Sequence, residues 1–138
     1  MISMSLTEVA GAIGGEHRGA DVIFLGVSTD TRTLKRGALF VALKGERFDG
    51  HDSLPEAVIK GAAGAIVERV HAASIPSVCV DNTRRALGRL AKRWRRRYSM
   101  PLIGITGSNG KTTTKEMTAA ILRQRFQVLV TSGNLNND

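Results

Sequence analysis

The sequence predicts an α/β protein organised around one glycine-rich loop, and three observations frame that reading. Short apolar or β-branched runs alternate with stretches whose apolar residues recur at helical spacing, as strands and helices do when they alternate. A glycine-rich segment, Gly104-Ile105-Thr106-Gly107-Ser108-Asn109-Gly110-Lys111-Thr112-Thr113-Thr114, lies between an apolar run at 102–105 and a helical stretch at 115–125. The net charge of +8 is confined to one segment: residues 82–98 hold eight Lys and Arg and no acid, and the 12 acidic residues balance the remaining cations.

In chain order, Ser5-Leu6-Thr7-Glu8 has the capping-box pattern, followed by Val9, Ala12 and Ile13 at helical spacing, and predicts a helix over 6–13 closed by Gly14-Gly15. Residues 22–27 are apolar and β-branched and predict a strand. The polar stretch Ser28-Thr29-Asp30-Thr31-Arg32 is too rich in hydroxyls for a strand centre. A second apolar run at 39–43 leads to the loop Glu46-Arg47-Phe48-Asp49-Gly50-His51-Asp52, with one aromatic among polar groups. Residues 53–60 suggest a helix with Pro55 in its first turn, where a missing N–H costs little. Strands are expected at 65–68 and 77–80.

From Thr83 to Tyr98 the residues Leu87, Leu90, Ala91, Trp94 and Tyr98 trace one helical face, and the arginines take the other. Such a helix either binds a polyanion or presents a solvated face from a packed position. Nucleic-acid sites mix cations with stacking aromatics; here the aromatics share the apolar face, which favours the solvated reading. Ser99-Met100-Pro101 reads as a linker, since proline disfavours helix continuation.

Beyond it, strand, glycine-rich turn, Lys-Thr and helix follow in the order that holds a nucleotide triphosphate. Glycines let several backbone N–H groups turn inward, and the helix start adds its positive dipole end. Lys111 would reach the β/γ-phosphates and the Thr112 hydroxyl would ligate Mg²⁺. The nucleotide-contacting set runs through Gly107, Ser108, Asn109, Gly110, Lys111, Thr112 and Thr113, with Lys111 and Thr112 as the catalytic pair. The glycines fall at 104, 107 and 110, and residue 105, where the strict P-loop spacing has glycine, is Ile. The competing reading is an ordinary glycine-rich turn, which Gly-Lys-Thr-Thr-Thr straight after a β-like run disfavours. Met117, Ala120, Ile121 and Leu122 give the helix an expected buried side, and a strand is expected at 128–130.

Bulk features narrow the class. No run approaches the roughly 20 apolar residues of a membrane span, and the N-terminus lacks the pattern of a secretory signal. Cys79, the single cysteine, sits in an apolar run and is expected to be a buried, inert thiol. The default location is cytoplasmic.

Four ordered segments also carry a resemblance. Residues 104–117, the closing Gly133-Asn134-Leu135-Asn136-Asn137, the stretch Ser28-Thr29-Asp30-Thr31-Arg32 with the run at 37–45, and Phe48-Asp49-Gly50-His51-Asp52 resemble, in the same order, the Mur ligases of peptidoglycan synthesis. The resemblance implies a three-domain ATP-dependent amide ligase with ATP and Mg²⁺ as cofactors. Residues 1–98 would be the UDP-precursor-binding domain, and 99–138 the first βαβ unit of a P-loop ATPase-type parallel sheet. The ending is similar to the branch that adds D-alanyl-D-alanine to UDP-N-acetylmuramoyl-tripeptide, and the implied parent is a monomer that binds no nucleic acid. Thr31, Arg32, Glu46, Arg47 and Phe48 match segments around the uracil and UDP, and Asn134 and Asn137 match positions near the precursor and the triphosphate. Each has a plainer alternative: a turn-stabilising Asp-Thr-Arg, a phenylalanine buried under its own loop, and asparagines in ordinary turns. The family's Mg²⁺-binding glutamate, carboxylated lysine and histidine have no counterpart in these residues, and His17, His51 and His71 all precede the loop. The expectation is therefore a front portion that does not form the amide bond alone. The alternatives are the sibling branch that adds the third peptide residue, and a non-catalytic UDP-sugar or polyanion-binding module.

Overall fold

The computed structural model describes residues 3–69 and 75–131. The chain divides into two compact units, Met1–Ser99 and Met100–Asp138.

In the first unit, β1 (Ser3–Ser5) runs into α1 (Leu6–Ile13), followed by β2 (Glu16–Arg18), β3 (Ile23–Leu25), β4 (Val27–Ser28) and β5 (Leu39–Val41). A single 3₁₀ turn (Gly50–Ser53) leads into α2 (Leu54–Ile59), then β6 (Gly64–Val67), β7 (Ser77–Cys79) and α3 (Thr83–Arg95). The main sheet has the order β2-β7-β6-β5-β4, parallel from β4 to β7, with β2 antiparallel on one edge. β1 and β3 form a separate antiparallel pair. The fold is mixed α/β with a parallel sheet, as expected.

Alternation along the central strands sorts the core onto two faces. Leu39 and Val41 of β5 and Ile66 of β6 join Leu6, Val9 and Ile13 of α1 and Ala86 and Leu90 of α3. Phe40 of β5 and Ala65 and Val67 of β6 point the other way, onto Leu54 and Ala57 of α2. Helices therefore cover both faces, and β5 and β6 are buried throughout, which is why their sequences read as unbroken apolar runs.

The helix ends explain the boundaries. The Ser5 hydroxyl accepts from the Glu8 N–H and the Glu8 carboxylate accepts from the Ser5 N–H, so α1 starts where its capping box sits. No basic residue lies in its last turn, and Arg89 of α3 supplies the missing cation by donating from Nη1 to Ile13 O at 2.8 Å. Arg97 reaches Glu8 of α1 and lies 5.1 Å over the Trp94 ring. Two arginines of the expected solvated face thus brace α1. The apolar stripe of α3 is centred on Ala86 and Leu90, with Ala91 exposed.

Several sequence expectations need correction. The strand expected over 22–27 is broken at Gly26, whose φ of +90° no strand tolerates, and its two halves pair in different sheets. β1 and β2 escaped the reading because Ser-Met-Ser and Glu-His-Arg are three-residue, largely polar edge strands with no pattern long enough to register. Cys79 is half-buried rather than buried.

Gly50 shows how tightly the first unit closes. A Cβ there would stand 2.7 Å from Leu43 O and 2.9 Å from Leu43 N, both backbone atoms with nowhere to yield. Gly50→Ala is expected to cost about 1–3 kcal/mol, the usual range for overpacking, read as a lower urea midpoint at unchanged m-value.

In the second unit, α4 spans Lys111–Arg123. The helix was expected from 115; its first turn instead begins four residues earlier, because helix starts accept threonines whose N–H groups need no intrahelical partner. The segments expected as strands, 102–105 and 128–130, are unpaired among the described residues, with Leu102 80% and Leu129 97% exposed. A strand needs a second backbone to answer its N–H and C=O groups, and none does so here. For the same reason the side of α4 expected to be buried is open: Met117 and Ile121 are exposed and Ala119 is the buried position.

Candidate functional site

Parallel strands collect their following loops at one end of the sheet, and ligands of α/β proteins gather at that carboxyl end. Loop 28–33 follows β4, the 44–51 turn follows β5, Glu68 and Arg69 follow β6, and Asn82 follows β7 and caps α3.

Loop 28–33 is held by its own polar groups. Asp30 N–H donates to Ser28 Oγ, and Ser28 Oγ donates to Asp30 O at 2.8 Å. Arg32 donates to the Asp30 carboxylate from its backbone N–H at 2.9 Å, from Nε at 3.0 Å and from Nη2 at 2.6 Å. These side-chain bonds, with the backbone bond second, bring the Asp30 carboxyl down to about 2. The fork occupies Nε and Nη2, and the Arg32 side chain remains 85% exposed, so an oriented guanidinium faces solvent. Thr31 is the buried member: its hydroxyl donates to Glu56 Oε2 at 2.9 Å, its carbonyl accepts from Lys60 Nζ at 2.9 Å, and Lys60 pairs with Glu56 at 2.8 Å. The Lys60 bond, then Thr31, lower the Glu56 carboxyl. Thr31 anchors the loop while Arg32 presents from it.

The 44–51 turn is a short hairpin closed by the Lys44–Asp49 bridge and by Gly45 N–H to Phe48 O at 2.9 Å. Glu46 and Arg47 are exposed at its tip, and Phe48 is 56% exposed. The alternative in which Phe48 is buried under its own loop is therefore excluded, and an aromatic face stands open at the sheet's carboxyl end. Below it, His51 is buried, its ring bonded to Asp49 and to the Glu68 N–H. The His51 backbone N–H, then its ring, hold the Asp49 carboxyl below its ordinary range.

Every resolved carboxylate shift here is downward: Asp30, Asp49 and Glu56, with Asp21 held down by the Thr7 N–H. A depressed folded-state pKa contributes stability that is complete above the unfolded value, about 4, and lost as pH falls through the folded value. The first unit is thus expected to unfold in progressively less urea from about pH 5 downward, with Asp30 the last to protonate, near 2. A urea midpoint equal at pH 7 and pH 3 would contradict these bonds.

In the second unit the loop before α4 has Gly107 at φ +148° and Gly110 at φ +72°, the latter left-handed at the N-cap. The N-cap of α4 is Gly110, which has no side chain to cap it, and the first turn holds no acid, whereas α1 and α3 are capped by Ser5 and Asn82. Thr114 N–H is the first to bond back within the helix, to Gly110 O at 2.9 Å. The start of α4 therefore turns its positive end toward the loop, an arrangement that suits an anion. Lys111 folds back across the loop and donates from Nζ to Gly107 O at 2.5 Å. Gly107, Ser108, Asn109, Gly110, Lys111, Thr112 and Thr113 thus form one continuous turn into the helix, while Asn134 and Asn137 lie outside the described residues.

Sequence reasoning missed Glu56, Lys60, His51 and Glu68 as supports of these loops. The Glu56–Lys60 pair had a visible i,i+4 signal; the bonds that Glu68 makes to His51 and Thr83 join residues 17 and 15 apart and had none. No helix among the described residues is long and apolar enough to cross a membrane, and no cluster of His, Cys, Asp and Glu among them could hold a metal.

Comparison with known proteins agrees with this arrangement. The description "Mur ligase family, catalytic domain" matches residues 24–95 and "Mur ligase middle domain" matches 105–138. The UDP-N-acetylmuramoyl-tripeptide–D-alanyl-D-alanine ligase of Escherichia coli K12 is 48% identical over 138 residues, covering 100% of this chain and 30% of its own. A crystal structure of MurF from Acinetobacter baumannii superposes with a TM-score of 0.92 at 38% identity, over 99% of this chain and 31% of that one. MurF from Thermotoga maritima, solved in complex with ADP, matches with a TM-score of 0.74 at 38% identity, over 80% of this chain and 26% of that one. The chain thus spans under a third of the length of these relatives. Its matched stretches and its fold agree, and the chain belongs to the Mur ligase family.

Proposed function

We propose that this chain is the precursor-binding and ATP-loop portion of a cytoplasmic, monomeric amide ligase that joins D-alanyl-D-alanine to UDP-N-acetylmuramoyl-tripeptide. The observation that carries the reading is the glycine N-cap of α4 with Lys111 folded over its loop, beside relatives of that name. Residues 1–98 take the UDP end of the precursor, and 99–138 begin the ATP domain as its first βαβ unit. The open side of α4 and the unpaired runs at 102–105 and 128–130 suit further strands of a larger sheet.

Each residue then has a task. Arg32, already oriented by Asp30, meets the pyrophosphate, and Phe48 offers its exposed ring to the uracil. Glu46 and Arg47 flank it on the turn, and Thr31 keeps the neighbouring loop in place. N–H groups of 107–113 surround the ATP phosphates, and Lys111 exchanges Gly107 O for the β/γ-phosphate oxygens. The Thr112 hydroxyl, at the second position of α4, is a hard oxygen donor beside the phosphates and fits Mg²⁺, which would neutralise phosphate charge there. Asn134 and Asn137 approach precursor and triphosphate. The tripeptide's terminal carboxylate oxygen bonds to the γ-phosphorus and ADP leaves. The D-alanyl-D-alanine amine then attacks the acyl phosphate, losing a proton as inorganic phosphate departs and the amide forms.

The test is phosphate release by the whole protein that contains this chain, with acceptors exchanged. Release should require ATP, the UDP-tripeptide and D-alanyl-D-alanine together. Release with the UDP-dipeptide and a free amino acid instead would assign the sibling branch, and binding of the precursor without release under any combination would assign a non-catalytic module.

A further inference from the structure

We infer that His51 is the positioning residue of the 44–49 turn, holding Glu46, Arg47 and Phe48 at the angle in which they meet the ligand; this rests on the reading of that turn as a precursor contact. His51 is 1% exposed, and both its ring nitrogens are committed. Nε2 accepts from the Glu68 backbone N–H at 2.9 Å, so it must present a lone pair. The ring proton therefore sits on Nδ1, where it donates to Asp49 Oδ1 at 2.5 Å. Geometry alone fixes the tautomer.

Asp49 is the closing residue of the turn, bridged to Lys44, and its carboxylate is held from outside the turn. Its Oδ1 also accepts the His51 backbone N–H at 2.9 Å, and its Oδ2 accepts from Arg69 Nη2 at 3.2 Å. Glu68, which grips the other side of the His51 ring, accepts at Oε1 from the Thr83 N–H at 2.8 Å and hydroxyl at 3.0 Å. The turn is thereby tied through one imidazole to the end of β6 and the start of α3. Glu46, Arg47 and Phe48 are exposed, and the Phe48 ring lies against Gly45 of the same turn. A short exposed turn gains its direction from its stem, and a stem fixed beforehand removes ordering cost from ligand binding.

Three readouts on this chain test the role. Long-range proton–nitrogen NMR should show the His51 proton on Nδ1. His51→Gln, whose carbonyl still accepts from Glu68 but which places no donor before Asp49, should raise amide exchange at Gly45 and Gly50 roughly tenfold, leaving Ala42 and Ala65 in the sheet unchanged. Its affinity for uridine diphosphate should fall about tenfold. A proton on Nε2, unchanged turn amides, or a uniform rise that includes Ala42 and Ala65 would overturn the assignment and leave His51 a core residue. Should the unaltered chain bind no uridine diphosphate, the precursor-site reading fails, and exchange alone decides whether His51 holds the turn. If His51→Gln does not fold, His51→Asn, which keeps a donor toward Asp49 and loses the Glu68 tie, should loosen the same two amides.

Discussion

Lys111→Ala is expected to lower ATP-dependent phosphate release by the whole protein on the order of a thousandfold, the scale on which removing a preorganised charge contact from a phosphoryl-transfer site is felt. The same change should leave the melting temperature level or slightly higher. Lys111 is the first residue of α4, where a cation opposes the helix dipole by about 0.3–1 kcal/mol. Its Nζ donates to Gly107 O of its own loop. An anion bound at the loop, as proposed above, would offset that cost. Equal losses of activity and of thermal stability would instead make Lys111 a structural residue of the loop.

Phe24→Ala is expected to remove about 3–5 kcal/mol, the usual cost of emptying an aromatic site in a core. That is a large share of the 5–15 kcal/mol that holds a domain. Phe24 is fully buried at the centre of β3, among Met4, Leu6 and the face of the sheet that α1 and α3 cover. Its neighbours Ile23 and Leu25 are 68% and 52% exposed, so alanine at either should shift stability by less than about 0.5 kcal/mol. Urea unfolding of the three variants reads the register directly. A one-residue slip of β3 would exchange the large effect for the small ones.

Much of this architecture was legible because local chemistry decides it. The capping box at Ser5 and Glu8 placed α1, the helical spacing from Thr83 onward placed α3, and the apolar runs marked β5 and β6 as strands. Readings failed where a partner distant in sequence decides. The runs at 102–105 and 128–130 have strand composition, but a strand exists through its pairing, and no described backbone pairs with them. The same holds for the site. Arg32 and Phe48 could be singled out as a cation and an aromatic in polar loops, and both prove exposed. Much of what holds those loops, Glu56 beneath Thr31 and the Glu68 backbone N–H on the His51 ring, joins groups 25 or 17 residues apart and could not be seen in one sequence.

The central claim is a division of labour: the loops of the first unit take the UDP end of a precursor, and the loop before α4 takes the phosphates of ATP. An amide-resolved NMR titration of this chain with uridine diphosphate and, separately, with Mg²⁺-ADP tests it most directly. Uridine diphosphate should shift residues 28–33 and 44–51, and Mg²⁺-ADP should shift residues 104–114, with little overlap. Both ligands moving the same residues, or uridine diphosphate moving the arginines of α3 in place of Arg32 and Phe48, would contradict the account.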